Sequence, residues 1–174
     1  AFGNYAGSKS FDDAASEDAS VVEAVKTAAA GAYAAASEKN ISRIVKMYKD
    51  AEVVTLTPTG VQSTVNGAYT FTSEGTTYYA MTASAFGYGG PVNLLYIVDE
   101  NGTIAKFKVM SHNETEYYGD VVSQSSYTNG YPGQQLDSIG DDVLVVSGCT
   151  FTTNAVKTAA ADVAAAFNAV KEAQ

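Results

Sequence analysis

The segment Ser147-Gly148-Cys149-Thr150-Phe151-Thr152-Thr153 gathers hydroxyls and small residues just ahead of an amphipathic helical pattern. The first turn of a helix leaves backbone N–H groups unpaired and carries partial positive charge, so such a segment can hold a phosphate. Gly148 would let the backbone approach an anion, and the hydroxyls of Ser147, Thr150, Thr152 and Thr153 would add hydrogen bonds. An ordinary threonine N-cap explains the same residues without a ligand, and on these residues alone it is the preferred reading. Cys149 also allows two readings. A helix N-terminus can lower a thiol pKa and make it reactive, but a small buried residue is the plainer account. Glu114 and Thr115 fit either polar capping at a strand end or a binding site, and His112 by itself reads as a surface residue at a strand end. Gly87-Tyr88-Gly89-Gly90 could be a turn only. It is no dinucleotide fingerprint, because it does not stand between a strand and a helix. No Walker loop is present, no local motif suggests a Ser/His/Asp set, and no carboxylate pair has a context for acid–base work, so no catalytic residue is assigned.

Several of these segments together resemble the FMN-binding domain family. Ser147 to Thr150 is similar to its S-G-A-T signature, and Thr153-Asn154-Ala155-Val156 to the T/S-x-A-V that follows. Gly87-Tyr88-Gly89-Gly90-Pro91-Val92, Asp99-Glu100-Asn101-Gly102-Thr103-Ile104 and His112-Asn113-Glu114-Thr115 resemble the G-Y-G-G-P-I, D-x-x-G-x-I and H-x-E-T segments, in the same order. The family includes the G component of the Rnf electron-transfer complex, the C component of the sodium-pumping NADH:quinone reductase, and extracytoplasmic flavoproteins. The resemblance implies that Thr150 forms a phosphoester with FMN, made by a dedicated flavin transferase. Ser147, Gly148, Cys149, Thr152 and Thr153 would then surround the phosphate. Gly89, Gly90, Glu114 and Thr115 would lie beside the flavin, with Tyr117 or Tyr118 stacked on its ring. The sequence also departs from the pattern. Leu144 stands where the family usually has an aspartate, Cys149 replaces an alanine, and Glu116-Tyr117-Tyr118-Gly119 replaces P-G-L-G.

The elements that must position these residues are legible in outline. Ser20-Val21-Val22-Glu23 has the form of a capping box, and Asn40 could cap a second helix with Ile41, Ile44, Val45 and Tyr48 on one face. Strands are expected over 53–57, 65–72, 76–85, 92–98 and 103–110, with Asp99 to Gly102 as a hairpin turn. A short strand over 143–146 would lead into the Ser147 motif. The final helix is expected from about Thr153 to Lys171, with Val156, Ala159, Ala160, Val163, Phe167 and Val170 as its apolar stripe. Helices, then an antiparallel meander, then strand and helix read as an α+β fold with helices packed on the sheet. Residues 1–18 read as a flexible lead-in, and 19–174 as one FMN-binding domain.

Composition narrows the function further. The chain has 174 residues, 46% of them hydrophobic, which is enough for a real core. Its net charge of -9 argues against a nucleic-acid partner. One cysteine and one histidine exclude an intrachain disulfide framework, a Cys-based zinc site and a His-rich metal site. The sequence holds no apolar run of the roughly 18 residues that would span a bilayer. It begins Ala-Phe-Gly, as a processed chain or an expression fragment would. The family resemblance implies that membrane association comes through an anchor outside this chain, in an extracytoplasmic setting. The expected function is an FMN-carrying electron-transfer domain. It would serve a membrane redox complex or another electron carrier, with no substrate chemistry of its own. The other reading is a flavin-free structural or interaction domain that keeps the fold.

Overall fold

The five stretches dense in β-branched and aromatic residues all form strands: β1 (Val54–Leu56), β2 (Val65–Ser73), β3 (Thr76–Phe86), β4 (Pro91–Asp99) and β5 (Ile104–Ser111). They make one antiparallel sheet in the order β1-β2-β3-β4-β5, so each strand pairs with its sequence neighbours. The computed structural model describes residues 35–58, 64–116, 119–142 and 145–173. It divides into two compact units, Ala1–Asn40 and Ile41–Gln174. In the first, residues 35–40 are helical; the proposed capping box at Ser20 and the 1–18 lead-in lie outside the described residues. Asn40 is itself helical, so it does not cap a helix as its side chain suggested.

The second unit holds the sheet and helices over residues 41–47 (α1), Ser125–Thr128 (α2), Leu136–Asp142 (α3) and Thr150–Glu172 (α4), with a 3-10 turn at Asp120–Ser123. The sheet is covered on both faces. On one, Met81, Leu94, Tyr96, Val98 and Ile104 pack with Val156, Ala160, Val163 and Phe167 of α4. On the other, Tyr69, Phe71, Ala80, Leu95 and Ile97 pack with Ile44. Burial on both faces explains why β4 reads as a nearly unbroken apolar run. Tyr78 and Tyr79 divide by strand alternation, but neither goes to solvent. Tyr79 is 4% exposed and meets Phe167 edge-on at 5.3 Å, while Tyr78 stacks on Phe71 at 5.4 Å. Val45, expected on the apolar stripe of α1, is 38% exposed.

The whole expected stripe of α4 is buried. The helix is anchored at several points. Asp162 accepts hydrogen bonds from the Thr64 hydroxyl (2.6 Å) and N–H (3.1 Å), and the Asn168 amide donates to Asp137 (3.1 Å). The β4–β5 turn forms as the Asp-Glu-Asn-Gly pattern implies. Asp99 accepts the N–H groups of Asn101 (2.8 Å) and Thr103 (2.9 Å), and Gly102 takes φ +81°. Sheet and helix together bring the β3–β4 turn, the segment after β5 and the start of α4 to one place. No helix among the described residues is long and apolar enough to cross a membrane.

Candidate functional site

The backbone sets the start of α4. Gly148 has φ +85°, which an L side chain adopts only under strain. This turns the chain through Ser147-Gly148 into an N-cap at Cys149. The Thr153 N–H bonds to the Cys149 carbonyl at 2.9 Å as the first helical bond. Thr150, Phe151 and Thr152 therefore form the first turn, three residues earlier than the spacing suggested, and their N–H groups have no carbonyl partner within the helix. The cap makes no side-chain hydrogen bond, so the threonine N-cap expected on sequence grounds does not exist. Val145 and Val146, expected in a strand, are irregular; Val143 and Leu144 lie outside the described residues.

The hydroxyls in this turn have different tasks. Thr150 is exposed at the first helical position, and Ser147 is exposed in the turn before it. Thr153 is fully buried, and its hydroxyl donates back to the carbonyls of Cys149 (3.0 Å) and Thr150 (3.3 Å). Thr152 is 1% exposed and donates to Glu114 Oε2 at 2.7 Å. The other carboxylate oxygen of Glu114 accepts the Gly89 N–H at 3.1 Å. One side chain thus ties the β3–β4 turn to the first turn of α4. The Glu114 N–H in turn donates to His112 Nδ1 at 3.2 Å. The fit around this carboxylate is close. A Cβ added at Gly87 or Gly119 would run into it, and one at Gly89 would run into the Asn113 carbonyl. Gly90 closes the β3–β4 turn by accepting the Gly87 N–H at 2.8 Å.

These segments line a cavity of about 410 Å³, walled by Tyr88, Glu114, Thr115, Gly119, Gly148, Cys149, Phe151 and Thr152. Small-molecule sites run from roughly 300 to 1,000 Å³. Tyr88 and Phe151 flank it with exposed aromatic faces, their centroids 6.4 Å apart. Neither was singled out on sequence grounds. The signal was there, because Phe151 falls outside the apolar stripe of α4 and Tyr88 stands between glycines. Tyr117 and Tyr118, the expected stacking residues, lie outside the described residues. Burial first, and then the carboxylates of Asp120 and Glu114, push the Cys149 thiol up. The helix terminus therefore does not activate it, and Cys149 fills the slot as a small neutral residue.

The residues fit a flavin nucleotide. An exposed hydroxyl and first-turn N–H groups suit a phosphate, and a cavity edged by aromatic faces suits a flat apolar ring. Comparison with known proteins agrees: residues 87–165 match the FMN-binding domain family. The G component of the proton-translocating ferredoxin:NAD(+) oxidoreductase complex of Clostridium ljungdahlii is 29% identical over 86 residues, covering 45% of this chain and 46% of that protein. The G component of the ion-translocating oxidoreductase complex of Shewanella loihica is 29% identical over 100 residues, covering 51% and 47%. The chain spans about half the length of these curated relatives. It therefore carries an FMN-binding domain, related at modest identity to these two complex components.

Proposed function

From this FMN-binding domain, we propose an electron-carrying domain that holds FMN through a phosphoester at Thr150 and works outside the cytoplasm beside a membrane redox complex. The observation that carries the reading is the convergence of three of the motif segments, residues 87–92, 112–115 and 147–150, on one cavity, with the Thr150 hydroxyl exposed at the first position of α4. Bound FMN would supply the redox chemistry; the chain supplies binding, orientation and electrostatics. Thr150 Oγ1 would carry the phosphate, with the N–H groups of the first turn around it. The cavity wall would exclude water from one side of the ring. The Glu114 carboxylate in the cavity wall disfavours an anion beside it, which leaves the exposed Thr150 side for the phosphate. A flavin transferase would make the ester, and an anchor outside this chain would hold the domain at the membrane.

A second reading is a flavin-free interaction domain, favoured by Leu144 in place of the usual aspartate. Intact mass and the visible spectrum, after co-expression with an exported flavin transferase, separate the two. A gain of one FMN less one water, mapped to the Thr150 peptide and lost in Thr150→Ala, is the expected result. A colourless protein of unchanged mass that cannot be loaded with FMN would overturn it.

A further inference from the structure

Phosphate binding makes no use of the two aromatic side chains at the cavity. Tyr88 and Phe151 are 76% and 74% exposed, although most aromatic side chains among the described residues are buried or packed. They come from different elements, the β3–β4 turn and the first turn of α4, yet their ring centroids are 6.4 Å apart with planes inclined by 49°. A flat ring held between two aromatic faces needs about 7 Å, twice a carbon contact distance of roughly 3.5 Å. The observed 6.4 Å lies close to that spacing, and both side chains are exposed.

The backbone beside each ring is fixed by the same group. Gly89 follows Tyr88 and donates its N–H to Glu114 Oε1, while Thr152 follows Phe151 and donates its hydroxyl to Glu114 Oε2. Gly87 and Gly119 leave room for the carboxylate and for nothing larger. The separation of the two aromatic residues is therefore set by one carboxylate between their neighbours.

We propose that Tyr88 and Phe151 are the two jaws of a clamp for a planar heteroaromatic ring, and that Glu114 is the positioning residue that sets the gap. This rests on the FMN reading and deepens it, since the ring is then the isoalloxazine. Lumiflavin, which is the isoalloxazine without ribityl or phosphate, probes the clamp alone. It would be titrated into the chain made without flavin transferase, and its fluorescence followed. Tyr88→Ala and Phe151→Ala should each weaken binding about tenfold, the order expected when one aromatic face is lost from a stacked heteroaromatic. Tyr88→Phe should keep it. Glu114→Ala should weaken it severalfold. Glu114→Gln, which still accepts from Gly89 and can donate to Thr152, should restore it.

Unchanged affinity in both aromatic-to-Ala variants, or no binding by the parent, overturns the clamp. Failure of Glu114→Gln to restore binding overturns the positioning role. The mass gain at the Thr150 peptide, read separately, keeps the two proposals distinct. Retained gain with unchanged lumiflavin affinity sinks the clamp alone, whereas a parent that takes up no flavin by either route sinks both.

Discussion

Two threonines two positions apart are set to opposite uses. Thr150 is exposed and makes no side-chain hydrogen bond among the described residues, whereas Thr152 is buried and bonded to Glu114. Thr150→Val should therefore change stability by no more than about 0.5 kcal/mol and, under the proposed phosphoester, should abolish the flavin mass gain. Thr152→Val should lower unfolding stability by roughly 1–3 kcal/mol, because it leaves a part-buried carboxylate oxygen without its donor. Urea unfolding of both variants, with intact mass, checks the contrast; equal stability losses would contradict it. Cys149 supplies a second test at this scale. Its thiol is buried and pushed up by burial and by the Asp120 and Glu114 carboxylates. Only the thiolate reacts, so iodoacetamide should label the native protein far more slowly than the urea-unfolded chain at the same mildly alkaline pH. Equal labelling rates by mass spectrometry would refute the buried, protonated thiol.

At the scale of elements, α4 links core and site. Its apolar stripe is buried against β2, β3 and β4, and its first turn forms one wall of the cavity. Phe167 is 5% exposed and meets Tyr79 edge-on, so Phe167→Ala should cost about 3–5 kcal/mol in urea unfolding. Gly148→Ala tests the turn that starts the helix. No atom lies within 4 Å of the added Cβ, so the cost is backbone strain at φ +85° alone, about 1–2 kcal/mol. A larger loss would mean a contact that the fold does not show. The stripe was legible because apolar residues recur at helical spacing over about four turns of sequence. The start of the helix was not. Thr150, Phe151 and Thr152 do not continue the stripe cleanly, and the N-cap lies at Cys149, which offers no capping side chain.

The molecule as a whole buries tyrosines on both faces of its sheet. Burial, aided by Tyr78, raises the Tyr48 pKa to about 12, and burial also raises those of Tyr96, Tyr127 and Tyr131. The unfolded chain releases these protons near the ordinary value of about 10. The native state thus binds more protons above that pH, and its stability must fall as pH rises. Stability should be flat with respect to these groups below about pH 10 and fall above it, with the Tyr48 share gone once pH passes about 12. Urea midpoints measured alongside tyrosinate absorbance check this. Ionisation of the full set of tyrosines near pH 10 without loss of structure would refute it.

The sequence by itself determined the strand set, the meander order and the apolar face of α4, because local periodicity and turn chemistry dictate them. It also pointed to an FMN-binding domain, since the order of the motifs along the chain is a one-dimensional property. Only the tertiary structure decided which hydroxyl faces outward and which is consumed. It alone joined Gly89 to Thr152 through Glu114, and brought Tyr88 and Phe151 together at one cavity. Those outcomes depend on contacts between residues 25 and 38 positions apart, which no local pattern encodes.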